Sequence, residues 1–225
     1  MKRLFVIGDI HGCREELEKL LEITDRYITA EDEYVFLGDY IDRGPDSKGV
    51  IDVLIARSKT HPNAHVFLTG NHEEMMVKGE SYWALNGGLE TLSSYGLIPE
   101  KAYEFNNYWE EIPADHREFL KDLKLYYRAG RVVCVHAGLQ PGISLLQQNK
   151  NAMVWDRTYV GYDGDYHDDV MVVYGHTPSY SITERKNQRG IDTACVFGGK
   201  LTCVVMETVS GEHVNTFSIK SGFNW

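Results

Sequence analysis

The chain has 225 residues and a formal net charge of −10, with 43% hydrophobic and 25% charged residues. This composition excludes a disordered chain and a repeat array, and the acidic balance argues against a basic surface for duplex nucleic acid. It does not exclude bound cations, because a carboxylate-rich site adds negative charge that metal ions offset.

The chain opens MKRLFVIGDIHG. Two basic residues before an apolar run suggest a signal peptide, but the run is too short and "GDIHG" breaks it. Residues 3–8 read instead as a strand buried on both faces. No stretch is apolar for long enough to span a membrane, so no membrane partner is expected. Residues 14–28 place Leu17, Leu20, Leu21, Thr24 and Ile28 at helical spacing. Residues 33–38 read as a second strand, 46–58 as a helix with Val50, Val53, Leu54 and Arg57 on one stripe, and 64–70 as a third strand. Each strand-to-strand step is about thirty residues, the size of a βαβ unit. Residues 74–130 are richer in aromatic and charged residues and read as a helical insertion. Two apolar runs follow, 131–136 and 170–176, and each ends in His. "GIDTACVFGGKLTCVVME" reads as strand, Gly-Gly turn, strand, and 212–219 as one more strand, together an antiparallel meander. With no linker or low-complexity segment, residues 1–225 read as a single domain.

Four cysteines, Cys13, Cys134, Cys195 and Cys203, form no CxxC pair. Three sit in or beside apolar segments, as core cysteines do. Cys13 stands where a helix starts, a place that can lower a thiol pKa. The cysteine pattern as a whole reads as a reduced, cytoplasmic protein.

Three strand ends carry the same signature: "GDIHG" at 8–12, "GDYIDRG" at 38–44 and "GNHE" at 70–73. Right-handed crossovers bring parallel strands to one sheet edge, where open α/β sheets bind ligands. The leading Gly permits a tight turn. Asp9, His11, Asp39, Asp42, Arg43, Asn71 and His72 should therefore converge, with His136 and His176 joining from the later runs. Singly, each has a plainer reading: an Asp after Gly is usually a turn or cap residue, and a His at a strand end usually makes one hydrogen bond. Jointly, crowded carboxylates, imidazoles and an amide are a ligand set for Mn, Fe or Zn. Two such ions close together are a common arrangement for hydrolysing phosphate esters. His61, His65, His116, His167 and His213 lack this setting and read as surface or structural residues.

In order along the chain, "GDIHG", "GDYIDRG", "GNHE", "HAGL" and "YGHT" resemble the phosphoprotein phosphatase family of the metallophosphoesterase superfamily. The resemblance implies an α/β fold, a β-sandwich of mixed sheets flanked by helices, with the insertion at about 74–130. It implies two divalent metal ions, Mn²⁺ first, with Fe or Zn as alternatives. Asp9 and His11 would hold one ion, Asn71, His136 and His176 the other, and Asp39 would bridge them. A hydroxide between the ions would attack phosphorus in line. His72 would protonate the leaving group, oriented by Asp42, while Arg43 and, by a looser match, Arg157 grip phosphate oxygens.

"NGGLETLSSYG" and "IDTACVFGGKLTC" resemble the bacterial and phage branch, with Ala194 where that branch commonly has Gly. The expected activity is a Ser/Thr or dual-specificity protein phosphatase acting on phosphoproteins or phosphopeptides, favoured by the compact length. The alternative is a symmetrical dinucleoside tetraphosphate hydrolase, and a remoter one an inactive binding module. Tyr82, Trp83, Asn86 and Tyr95 could meet substrate, although packing the insertion's own small core is the simpler reading. The sequence is silent on oligomeric state.

Overall fold

A computed structural model describes residues 1–60, 64–97, 108–166 and 169–223. The continuous apolar run at the start forms β1 (Arg3–Ile7), whose Leu4, Phe5, Val6 and Ile7 are all fully buried. Then come α1 (Arg14–Thr24), β2 (Glu33–Phe36), α2 (Ser47–Thr60) and β3 (His65–Phe67). The first helix stops before Ile28, its last turn closed by the Thr24 hydroxyl on the carbonyls of Leu20 and Leu21. Next are α3 (Asn71–Lys78), α4 (Gly88–Ser94), α5 (Tyr108–Glu111), α6 (Ala114–Lys121), β4 (Tyr126–Ala129), β5 (Val132–Val135) and α7 (Lys150–Val154). The chain finishes with β6 (Met171–Tyr174), β7 (Thr183–Arg185), β8 (Gln188–Gly190), β9 (Lys200–Glu207) and β10 (His213–Lys220).

The strands make two five-stranded mixed sheets, ordered β10-β9-β1-β2-β3 and β4-β5-β6-β8-β7. β1, β2 and β3 run parallel, in register through Val6↔Val35 and Val35↔Val66. The alternation of β1 explains the layering. Leu4 and Val6 face the second sheet, packing with Val35, Val132, Cys134 and Val173, while Phe5 and Ile7 face the opposite way onto α1 and α2. On the far side of the second sheet, Val133, Val135 and Val172 pack with Met153 and Val154 of α7. The result is two sheets face to face with helices outside both, as the sequence resemblance implied.

The predicted meander holds for β9 and β10, which pair antiparallel, but not for the strand placed before them. β5, β6 and β8 are parallel, and the strand preceding β9 belongs to the other sheet. The chain crosses between sheets over residues 191–199, where Ala194 takes a left-handed conformation and a 3₁₀ turn (Cys195–Phe197) follows. That geometry cannot continue a ladder, so the Gly-Gly pair closes a crossover instead of a hairpin. Parallel pairing in the second sheet matters for the site, because β5, β6 and β8 then deliver their C-terminal ends to one edge.

No helix among the described residues is long and apolar enough to cross a membrane. Cys13 is fully buried, and its hydrogen bonding with Cys195, together with burial, pushes its thiol up. It is a core residue, not a reactive one.

Candidate dinuclear metal centre

Six strand ends meet. β1 supplies Asp9 and His11, β2 supplies Asp39 and Asp42, β3 supplies Asn71 and His72, and β5 and β6 supply His136 and His176. β8 adds Asp192, which the sequence reading did not single out. All nine are buried. The backbone is bent to achieve this: His11, Asp39, Asp42, Arg43 and His176 all have positive φ, between 46° and 74°. Left-handed backbone is costly for residues with a Cβ and gathers at functional sites. The leading glycines serve different ends. Gly38 does take positive φ, at 104°, as a tight turn requires. Gly70 is needed for space, since a Cβ there would lie 2.1 Å from Asp39 Oδ1.

Asp39 is central. Its Oδ2 faces His11 Nε2 at 3.5 Å, and its Oδ1 faces His136 Nε2 at 3.4 Å. The carboxylate thus looks into two lobes with one oxygen each. In one lobe, His11 is fixed by a contact of Nδ1 with the Ile41 carbonyl at 2.8 Å, leaving Nε2 inward. In the other, His136 Nδ1 meets the Leu37 carbonyl at 2.9 Å, and Asn71 Oδ1 lies 3.1 Å from His136 Nε2 and 2.9 Å from His176 Nδ1. Asp9 accepts the backbone N–H of His176 at 2.9 Å, tying the first strand of one sheet to the second sheet.

His72 stands apart chemically. Its Nδ1 meets Asp42 Oδ2 at 2.6 Å, while its Nε2 is 4.0 Å from Asp39 Oδ2. Asp42 is saturated by donors: Trp83 Nε1 at 2.7 Å and the Thr91 hydroxyl at 2.6 Å join His72. Trp83, fully buried, therefore serves the centre from behind by holding Asp42. Tyr95 is also turned inward, its hydroxyl 2.8 Å from His116 Nδ1. His65 stacks on Tyr34, and His116 contacts Asp52, in keeping with structural roles. His61 and His167 lie outside the described residues. Arg43 Nη1 reaches His11 Nε2 at 2.7 Å, with its guanidinium 5.5 Å from the Phe197 ring. Arg157 is exposed at the rim beyond α7, near enough for its charge to act on His176.

Glu73 was visible in "GNHE" but given no role. Its Oε2 accepts the N–H groups of Asp39 and Gly70, both at 2.9 Å, and its Oε1 accepts that of Tyr40 at 2.8 Å. One side chain thereby locks the second loop to the third. A Glu three residues into a helix that binds back to the cap N–H was the available signal.

Burial and crowding shift the ionisable groups of the site away from their ordinary values. Burial and the nearby charge of Asp192 push Asp9 well above the carboxylate range. Burial would also raise Asp39, but His136, His72 and His11 outweigh it and hold it well below. Burial, then the charge of His72, lowers His11, and burial with the charge of His136 lowers His176 to about 3. Burial would lower His136, yet Asp39 lifts it to about 9. Burial and the charge of Asp39 raise Asp192 to about 6 against the pull of the Ala194 N–H. His11 and His176, held neutral among crowded carboxylates, are donors that cations convert into a stable ligand set. Two overlapping clusters, His11–Asp39–His72 and Asp39–His136–His176, each bring their donor atoms within 4.8 Å of one another. The residues present thus fit two divalent ions sharing Asp39.

The fold and this centre define a metallophosphoesterase hydrolase. The chain belongs to the calcineurin-like phosphoesterases, whose family model matches residues 2–206. It is similar to a bis(5′-nucleosyl)-tetraphosphatase PrpE, designated asymmetrical, of Anoxybacillus flavithermus, with 32% identity covering 91% of this chain and 92% of that one. The same-named protein of Oceanobacillus iheyensis is 30% identical over 89% and 87% of the two chains. A crystal structure of a candidate diadenosine tetraphosphatase matches with TM-score 0.69 and 26% identity, covering 97% of this chain and 93% of that one. These relatives overturn the expectation of a protein phosphatase. The expectation rested on length and on motifs that belong to the metal centre. Those motifs govern attack on phosphorus and are indifferent to what the phosphorus is attached to.

Proposed function

We propose that the chain is a metal-dependent hydrolase of bis(5′-nucleosyl) tetraphosphates that cuts asymmetrically, giving a nucleoside triphosphate and a nucleoside monophosphate. The observation that carries this reading is similarity to asymmetrical tetraphosphatases over nine-tenths of both chains, around a complete set of ligand-type residues.

Asp9 and His11 would hold one cation, Asn71, His136 and His176 the other, and Asp39 would reach both. When bound, the cations supply positive charge to the phosphoryl oxygens and make water nucleophilic near neutral pH. The chain's own groups do the rest. Arg43, half-buried beside His11, would present a planar fork to phosphate oxygens, and Arg157, exposed near His176, would offer a second. Asp42 accepts the Nδ1–H of His72 and so points Nε2 toward the cleft, where it can hold a proton for the departing oxygen. Burial would depress His72, but the charge of Asp39 and the hydrogen bond to Asp42 outweigh it and favour the protonated ring. In an anhydride the departing group is a polyphosphate, a far better leaving group than an alkoxide.

The test is product analysis. Purified protein with Mn²⁺ and diadenosine tetraphosphate should release AMP and ATP in equal amounts. ADP as the sole product would make the cut symmetrical, and an intact substrate with Mn, Fe or Zn would end the reading.

A further inference from the structure

Beside the centre lies a pocket of about 520 Å³ whose walls include Glu74, Lys78, Tyr82, Lys150, Asn151 and Trp155. One of its walls belongs to a helix that also builds the centre, and another touches the centre. α3 begins with Asn71 and His72 and contributes Glu74 and Lys78 further along. α7 runs into Trp155, whose carbonyl lies 3.0 Å from His176 Nε2. The pocket floor is tied together through Glu74. Trp155 Nε1 donates to Glu74 Oε2 at 2.5 Å, and Lys78 and Lys150 meet Glu74 Oε1 at 2.9 and 2.8 Å.

The volume is in the range of small-ligand pockets. Its charge is balanced, two ammonium groups against Glu74 and Glu80, so it is not a phosphate cradle. What it offers is aromatic surface, with Tyr82 44% exposed, and amide groups at the rim. Aromatic faces hold bases by stacking with little regard to their identity. Trp155 lines this pocket while its carbonyl touches His176, so the pocket adjoins the centre at His176, and Arg157 lies near enough for its charge to act on the same ring.

Building on the proposed tetraphosphatase activity, we propose that this pocket is the subsite for one nucleoside of the substrate, with Tyr82 and Trp155 supplying the surface on which the base lies. An aryl phosphate, which has no nucleoside, fills the centre alone.

The test compares kcat/KM on diadenosine tetraphosphate with that on p-nitrophenyl phosphate, both with Mn²⁺, for the wild type, Tyr82→Ala and Tyr82→Phe. Tyr82 is exposed, so neither variant endangers folding. Tyr82→Ala should lower the ratio of the two values by about tenfold or more, mainly through KM on the dinucleotide, and Tyr82→Phe should restore it. An unchanged ratio, with the wild type cleaving the dinucleotide, overturns the subsite and leaves the activity standing. A second arm photolabels the wild type with 8-azidoadenosine 5′-triphosphate and maps the modified peptides. Label within 74–82 or 149–155 supports the subsite even if the dinucleotide is not cleaved, in which case only the activity falls. Label confined elsewhere overturns it.

Discussion

The His72 ring is gripped at Nδ1 by a carboxylate that Trp83 and Thr91 hold in turn, leaving Nε2 as its only free nitrogen. A proton donor in this position matters in proportion to how badly the departing oxygen needs a proton. His72→Asn should therefore retain its metal content yet lose roughly 10²–10⁴-fold in turnover of an alkyl phosphate, and much less on diadenosine tetraphosphate. Elemental analysis and the two rate ratios check this, and equal losses on both substrates would mean that His72 does not act by donating a proton. His72 and Asp42 were legible in the sequence because each follows a strand by a few residues. Trp83 and Thr91 were not, because each lies more than 40 residues from Asp42. Only the folded chain shows which of several aromatic residues turns inward. Ala194 was legible as a departure from a glycine position, and it does take φ of 60°, which explains why glycine suits that place.

At the scale of elements, the repeating unit is a strand, a strained loop and a helix. Its apolar strands and helix stripes are visible in sequence because burial on both faces leaves continuous runs, while the stripe alternates with charge. Asp192 escaped notice because β8 spans only Gln188–Gly190, too short and polar to read as a strand. The first unit is clamped at the opposite end from the site, and this clamp titrates. Asp32, just before β2, accepts the N–H of Arg3 on β1 at 2.9 Å and faces its guanidinium Nη2 at 2.6 Å. Thr29 adds its N–H and hydroxyl, both at 2.9 Å. Burial would raise the Asp32 carboxyl, but Arg3 and Thr29 prevail and hold it at about 2. A carboxyl depressed on folding stabilises the fold above its ordinary pKa of about 3.9 and loses that contribution as pH falls through the folded value. Allowing for screening at the partly exposed Arg3, the contribution is about 1–2 kcal/mol. Asp32→Asn should be less stable than wild type by that amount in urea unfolding at neutral pH. The gap should narrow between about pH 4 and pH 2. A gap that stays constant would assign the loss to packing instead of charge.

The whole molecule is a sandwich in which shared aliphatic packing joins the two sheets face to face and the centre joins them at one edge. The paired sheets were anticipated only through resemblance. Periodicity says which strands are buried, but not that β8 and β9, nine residues apart, belong to different sheets. Substrate class was the least legible feature, since it depends on surfaces beyond the ligand residues. The centre itself couples the halves: Asp9, Asp39 and Asn71 come from the first sheet, His136 and His176 from the second. Cations bound there would act as a clamp across the sandwich and offset the repulsion among Asp9, Asp39 and Asp192. A ligand that binds only the folded state at a hundredfold excess over its Kd stabilises by about 2.7 kcal/mol. For a chain of this size that corresponds to roughly 5–10 °C in Tm for one ion, and more for two. Adding Mn²⁺ to metal-stripped protein should raise Tm by at least about that much. In Asp39→Asn, which removes the carboxylate facing both lobes, the rise should shrink by more than half, and calorimetric titration should show both sites weakened. An equal rise in the variant, with two ions still bound per chain, would place the cations elsewhere and remove Asp39 from the bridge.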